Sequence, residues 1–461
     1  KIPFSPKLNT ITDNFEGPQA HLDDFNLWLS LNSHRLLTKF SSIDLKDLKS
    51  YRILSILKSC PQGPRSYSHL LGSYIGLQNN TNVMKAIWDW INVTSSGNLS
   101  RALGNLEYAI KRFNLSPKSK EDYIGRLSFK EEAAGKLRVF AMVDIITQSL
   151  FEPLHHTLFS LFKKLPNDCT HDQDAGVAYA KELSLKYNCS YGFDLSAATD
   201  RLPLSSQITI LNSIFGKKIG DLWGTILVDR DYIIGPNRYE LPEGPVRYAV
   251  GQPMGALSSW AMLNLMHHLM IQYLAHSLGK VRYKEWYKDY IVLGDDLALF
   301  DREVADGYLE LCKQLGVSIN ISKSIIAKDR PVLEFAKRTS VKGVDVSALP
   351  VKELLTSNNF FGRLSIATRL IRNSWGADPM KLFYIINLKK YHKKLDIIYP
   401  MVGLLTQIYL RGETKLSSVL ALITRKDYPL AFFGRKINWM TPKLLTIVLK
   451  EYFITGVINP T

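Results

Sequence analysis

Cysteine is scarce in this chain. Cys60, Cys169, Cys189 and Cys312 are the four present in 461 residues, they stand far apart, and no C-x-x-C pair occurs. That excludes a disulfide scaffold or a cysteine-built zinc site and fits a reducing compartment. Long apolar runs are missing as well: residues 397–410 come nearest, but they are bounded by Asp396 and Arg411 and contain Pro400 and Gln407. They read as a core helix, and no membrane span is expected. The opening KIPFSPKLNT has neither an initiator methionine nor the apolar core of a secretory signal, so the chain reads as a trimmed fragment whose targeting is illegible at this end. No fixed-period repeat and no low-complexity tract occurs. Acids are in deficit, 42 Asp plus Glu against 58 Lys plus Arg, for a formal net charge of +16. Such a balance suits an extended polyanion such as nucleic acid, and also anionic lipid or plain solubility.

What is present is an ordinary globular composition, 46% hydrophobic and 22% charged, in a length sufficient for about three domain-sized units. Residues 1–115 read as mainly helical, with periodic apolar stretches at 25–37, 45–57 and 83–91; residues 123–144 read as extended. From about 186 to 340 short strands mix with helices, and beyond about 350 the pattern returns to helix. The fold class expected is α+β, with its strand-rich part in the middle.

The segment YIVLGDDLALF at 290–300 sets two short apolar strands around Gly294-Asp295-Asp296, the pattern of a half-buried hairpin. Glycine and aspartate are good turn formers, so turn chemistry alone would explain them. Paired acids at a turn acquire a further use if a third carboxylate meets them. CSYGFDLSAATD at 189–200 supplies one: a strand-like run delivers Asp194 just before a small polar loop. Asp200, four residues before Leu204, has the simpler alternative of capping the next helix. Asp194, Asp295 and Asp296 would form a hard oxygen set suited to Mg²⁺, with Asp295 as the closer ligand and Asp296 supporting. Two such ions about 4 Å apart serve phosphoryl transfer.

Two further segments accompany the acids. In GKLRVFAMVD at 135–144, Lys136 and Arg138 project to one face of a strand, near Arg126 and Lys130, as triphosphate ligands would or as the charged guard of an edge strand. In GQPMGALSSWAMLNLMHHLMIQ at 251–272, Gly251, Pro253 and Gly255 suggest a bendable loop. Ser258 or Ser259 would then cap a helix with an apolar face through Met262, Leu265, Met266, Leu269 and Met270. His267-His268 and His155-His156 lack the spacing of a helical zinc site and read as packed or solvated residues.

Taken in order, GKLRVFAMVD, FDLSAATDRLPL, GQPMGALSSWAMLNL, YIVLGDDLALFD and LGVSINISKS, followed by LEFAKRT, resemble the RNA-directed RNA polymerases of mitoviruses, capsidless RNA viruses that replicate in mitochondria. More distantly they are similar to the replicases of single-stranded RNA phages. The resemblance covers about 125–340. It implies a right-hand polymerase with an antiparallel palm sheet and helical flanks: an N-terminal helical region and fingers at 1–185, palm at 186–204, a fingers insertion at 205–245, palm again at 246–340 and thumb at 341–461. It implies that Asp194, Asp295 and Asp296 bind the catalytic Mg²⁺ ions, with Mn²⁺ as the alternative metal. Lys136 and Arg138 would line the nucleotide path, and Asp200 with Ser259 would sense the ribose 2′-hydroxyl. Related enzymes often carry an Asn four residues after that Ser; here Leu263 stands there and Asn264 follows, so Asp200 and Ser259 carry more of sugar selection. Gly251 and Gly255 would lie along the RNA, Lys323 would protonate the leaving pyrophosphate, and Lys337 with Arg338 would hold the primer end. The cationic cluster at 389–394 would track RNA or simply end a helix in solvent. Partners implied are a single-stranded RNA template, its product and NTPs, in a mitochondrion, with any host factor left open. A reverse transcriptase or maturase shares a palm with paired acids, and a silent RNA-binding remnant of a captured viral gene would keep the same residues.

Overall fold

The computed structural model describes residues 7–54, 60–62, 69–115, 123–131, 137–216, 218–234, 239, 241, 244–321 and 324–348. The chain divides into two compact units, Lys1–Ala336 and Lys337–Thr461. Lys136, Lys323, the expected helix at 397–410, the cluster at 389–394 and most of the expected thumb lie outside the described residues.

The first unit begins with helices: α1 (Asn9–Thr12), α2 (Gln19–Leu37), α3 (His69–Asn79), α4 (Thr81–Val93) and α5 (Gly97–Phe113). The expected helices at 25–37 and 83–91 are found within α2 and α4. A helix beginning at 45 is not: a single 3-10 turn at Leu45–Leu48 ends there, and residues 51–54 are not helical. The reason is competition for backbone groups. The N–H of Ser50 donates to Ser96 Oγ at 2.9 Å, and that of Leu54 donates to Ser149 Oγ at 2.9 Å, so this stretch bonds to neighbouring helices instead of to itself.

Next come the hairpin β1 (Gly125–Glu131) and β2 (Leu137–Val143), then α6 (Ile145–Phe162) and α7 (Gln173–Tyr187). Asp144 caps α6, its carboxylate accepting the N–H groups of Ile146 and Thr147 at 3.0 and 2.9 Å. The strand-rich middle then runs β3 (Ser190–Asp194), α8 (Ala198–Arg201), α9 (Leu204–Phe215), α10 (Ile219–Val228), β4 (Tyr232–Ile234), β5 (Gly244–Val246), α11 (Ser259–Ser277), β6 (Tyr290–Leu293), β7 (Asp296–Leu299), α12 (Arg302–Gln314), β8 (Ile325–Ala327) and β9 (Val332–Phe335). One four-stranded sheet has the order β2-β1-β4-β5; the other, entirely antiparallel, has the order β6-β7-β3-β8. The architecture is α+β.

Helix α11 lies at the centre, in contact with α2, α6, α8, α9, α12 and β6. One apolar face was expected; instead Asn264, His267, His268 and Gln272 are as completely buried as Met262, Leu265, Met266, Leu269 and Met270. A helix surrounded on every side can carry polar residues only where each finds a partner inside the protein. In the second unit, β10 (Arg338–Val341) and β11 (Val344–Asp345) form a hairpin. Lys342 and Gly343 both take positive φ, 49° and 78°, as a two-residue turn matched to strand twist requires.

Candidate active site

The segment YIVLGDDLALF folds as the expected hairpin: β6 and β7 pair with Leu293 opposite Asp296, and Gly294-Asp295 make the turn. Gly294 has φ of 62°, and a Cβ there would meet Trp260 Nε1 at 2.7 Å. Both the backbone angle and the indole therefore demand glycine. Strand β3 lies against β7 in the register Tyr191↔Leu299, Gly192↔Ala298, Phe193↔Leu297 and Asp194↔Asp296. Residues directly opposed in antiparallel strands share a face with Cβ atoms about 5 Å apart. Asp194 and Asp296, 102 positions apart in sequence, are thus paired on one face at one end of the sheet, with Asp295 exposed at the adjoining turn. Asp295 also bears on this region: burial foremost drives the Tyr308 hydroxyl well above its ordinary pKa, and Cys312, Asp295 and Asp194 add to the shift. Among the described residues, no three His, Cys, Asp or Glu side chains group closely enough to hold a metal ion by themselves.

Asp200 sits in the short α8, not at the start of the next helix. The residue capping α9 is Pro203, with no side-chain bond, so the capping alternative fails. Its carboxylate instead accepts a 2.8 Å hydrogen bond from Thr10 Oγ1, and burial pushes its pKa up to about 6 against the opposing effects of Thr10 and Arg201. Arg201 in turn donates to the carbonyls of Asp13 and Asn14 at 2.6 and 2.8 Å. The segment around α1 is thereby tied to α8, a contact sequence reasoning missed.

The loop Gly251–Gly255 was read as bendable; it is tied down along its length. Gly251 and Gln252 donate their N–H groups to the carbonyls of Asp200 and Thr199, both at 2.9 Å, and Met254 O accepts from Ala141 N–H at 2.7 Å. The glycines serve close approach: a Cβ at Gly251 would come within 2.3 Å of Thr199 O, and one at Gly255 within 2.3 Å of Ala141 O. Ser258 stands at the N-cap position of α11, but neither serine side chain caps the helix. Ser258 takes φ of 74° and its Oγ accepts from Trp223 Nε1 at 2.9 Å, while Ser259 Oγ donates to Pro253 O at 2.7 Å. Asn264 is fully buried, with Nδ2 donating to Asp168 Oδ2 at 2.6 Å and Oδ1 accepting from Gly294 N–H at 2.7 Å. Its amide faces the turn. His267 and His268 are packed and hydrogen-bonded, as read from their spacing.

Arg138 is exposed on β2, directly opposite Lys130 on β1. In the second unit, Arg338 Nη2 contacts Asp345 Oδ2 at 2.7 Å, and Lys337 precedes it with φ of 61°.

A family model described as Mitovirus RNA-dependent RNA polymerase matches residues 43–417. The chain belongs to this family. The RNA-directed RNA polymerase of Cryphonectria parasitica mitovirus 1 is 33% identical over 356 residues, covering 72% of this chain and 40% of that protein. The mitovirus-family chain thus spans 40% of the length of that viral relative. An uncharacterized mitochondrial protein of Arabidopsis thaliana is 31% identical over 213 residues, 45% of this chain and 82% of its own length. A second such Arabidopsis protein is 30% identical over 172 residues, 36% of this chain and 78% of its own length. Among solved structures, the RNA-dependent RNA polymerase of a human picorbirnavirus aligns with a TM-score of 0.45 and 14% identity, over 62% of this chain and 60% of that one. Every segment that carried the resemblance up to residue 339 falls inside the matched range of the mitovirus family.

Proposed function

We propose that this chain carries the catalytic core of an RNA-directed RNA polymerase, which extends an RNA 3′-hydroxyl with NTPs on a single-stranded RNA template. The observation that carries the reading is the meeting of Asp194 with the Asp295-Asp296 turn across adjacent strands. The donor set fits Mg²⁺: every candidate ligand is a carboxylate oxygen, and this ion is usually held by one or two carboxylates while water and substrate phosphates complete its shell. Asp194 and Asp295 would hold it with help from Asp296, and Mn²⁺ would fit the same oxygens. When bound, the metal supplies positive charge that acidifies the attacking hydroxyl and neutralises the triphosphate.

In the reaction the 3′-hydroxyl passes its proton to solvent water and its oxygen bonds to the α-phosphorus, and the bond from that phosphorus to the bridging oxygen of pyrophosphate breaks. Lys323 would give the leaving group its proton. Lys136 and Arg138, on the segment bearing the Lys130 neighbour, would hold the triphosphate, and Asp200 with Ser259 would read the sugar. Gly251 and Gly255 would border the template, and Lys337 with Arg338 would hold the primer strand. Fingers, palm and thumb would follow the boundaries given above. Residence in a mitochondrion is supported by the family and by the two Arabidopsis mitochondrial proteins. No helix among the described residues is long and apolar enough to cross a membrane.

A second reading is an RNA-binding remnant of a captured viral gene that no longer turns over, since two relatives are named as mitochondrial proteins of a plant and not as polymerases. The test is incorporation of NTPs by purified protein on a short RNA template with Mg²⁺, beside dNTPs and Asp295→Asn. RNA product that depends on Asp295 supports the polymerase, dNTP product supports a reverse transcriptase, and RNA binding with neither product supports the remnant.

A further inference from the structure

Asn264 and His267 are three residues apart on α11 and so share a face of the helix. Both are fully buried, and each bonds a different backbone group of the same residue. Asn264 Oδ1 accepts the N–H of Gly294 at 2.7 Å; His267 Nδ1 lies 2.7 Å from the Gly294 carbonyl. A carbonyl only accepts, so Nδ1 carries the ring proton, and Nε2, 2.8 Å from the Tyr308 hydroxyl, accepts from it. Burial, against the opposing pull of the Gly294 carbonyl, lowers His267 to about 4, which keeps the ring neutral with one donor and one acceptor.

Behind this pair stands Asp168. Its Oδ2 accepts from Asn264 Nδ2 at 2.6 Å and from His268 Nε2 at 3.0 Å, and its Oδ1 accepts from Thr170 N–H at 2.8 Å. Burial would raise this carboxyl, but the hydrogen bonds from His268, Thr170 and Asn264 outweigh it and hold the pKa below the ordinary value. The backbone around Asp168 is joined to β6 as well: Cys169 N–H donates to Val292 O, and Val292 N–H donates to Asn167 O, both at 3.0 Å. Helix, strand and loop are locked at one node, and the Gly294 N–H is held from it through Asn264, while the Gly294 C=O is held by His267 on the same helix.

We propose that Asn264, anchored by Asp168, and His267, backed by the Tyr308 hydroxyl, are positioning residues that set where the Asp295 and Asp296 carboxylates stand. A two-residue turn projecting from a hairpin can rotate about the strand ends; fixing both backbone groups of its glycine to a buried helix removes that freedom. Reactive constellations demand placement within about 0.5 Å, and loss of a partner that orients a ligand typically costs about 10- to 100-fold in metal affinity. The proposal rests on the polymerase reading only for what the turn is used for, since its test is metal binding.

The 461-residue protein and its Asn264→Leu, His267→Gln, His267→Asn and Asp295→Asn variants would be titrated with Mn²⁺ by electron paramagnetic resonance, without RNA or nucleotide. Amide hydrogen exchange across residues 288–300 would be followed in parallel. Asn places its amide nitrogen where Nδ1 of His stands, whereas Gln reaches the Nε2 position. The expected result is Asp295-dependent Mn²⁺ binding, weakened about 10- to 100-fold in Asn264→Leu and His267→Gln, with faster exchange at the turn, and restored to within about threefold in His267→Asn. Equal affinities in the two His267 variants would overturn the proposal, as would wild-type protein without Asp295-dependent binding. If Asn264→Leu does not fold, the His267 pair decides alone. Mn²⁺ binding in the expected pattern by protein that incorporates no nucleotide overturns the polymerase reading and leaves the positioning role standing.

Discussion

At the scale of single residues, Asp200 carries a pH signature. Its pKa of about 6 in the folded chain, set first by burial, lies above the ordinary carboxyl value of about 3.9. Below both values each state holds the proton and the shift has no effect on stability. As pH rises between them, the unfolded chain ionises while the folded one does not, so stability falls; above about 6 the loss is complete. Asp200→Asn should therefore raise the melting temperature at pH 7.5, by at most the equivalent of about 3 kcal/mol for a two-unit shift, reduced because the side chain is only half-buried. At pH 4.5 the gain should shrink by more than half, and thermal melts at the two pH values check this. An equal effect at both would mean that the Thr10 hydrogen bond, not ionisation, governs the site. The Asp295-Asp296 turn was legible because everything that signals it lies within eleven consecutive residues. The Thr10–Asp200 bond spans 190 positions and the Asn264–Asp168 bond 96, and no local pattern announces either. Asn264, one position past where related enzymes carry an Asn, is bonded to Gly294 and Asp168 by partners that folding alone assembles.

At the scale of elements, Asp144 shows how one residue can join three. It caps α6, and its Oδ2 meets Arg230 Nη1 at 2.7 Å with both side chains fully buried. Arg230 also donates to Ile226 O at 2.7 Å, Ile124 O at 2.9 Å and Thr147 Oγ1 at 2.9 Å. The loop after α10 is thus bonded to the start of α6 and to the residue preceding β1. Removing one member of a buried pair strands the other charge, at a cost of about 3–5 kcal/mol. Arg230→Met should cost about that much in denaturant unfolding, and adding Asp144→Leu should recover part of it, because the second change removes the stranded carboxylate. A double variant no more stable than Arg230→Met alone would contradict this. Elements with clean periodicity, α2 and α4, were legible for the ordinary reason that their apolar faces repeat. The failed helix at 45 was not, since Ser96 and Ser149, which capture its backbone, lie 46 and 95 positions from their partners. Likewise α11 reads as amphipathic only until its polar residues are seen to be inside, each with a partner.

At the scale of the whole molecule, a chain of net charge +16 carries paired acids at one end of a sheet. Such a combination suits a polyanionic substrate whose reacting phosphate must be met by metal-bound carboxylates. The α+β class and the position of the strand-rich region were legible from composition and periodicity, because a central sheet leaves short apolar runs between turn formers. The division of the first unit into two separate four-stranded sheets was not, since the β1–β4 pair joins strands about 100 residues apart and is parallel over a single register pair. On the polymerase reading, a template dictates nucleotide choice at the Asp194–Asp295 site. This is tested most directly by offering each NTP singly on RNA templates that differ only in the next unpaired base, while measuring extension and pyrophosphate release. The expected result is that only the complementary NTP extends the product, with one pyrophosphate per addition, and that Asp194→Asn abolishes both. Extension that ignores the template base, or that persists in Asp194→Asn, would contradict it.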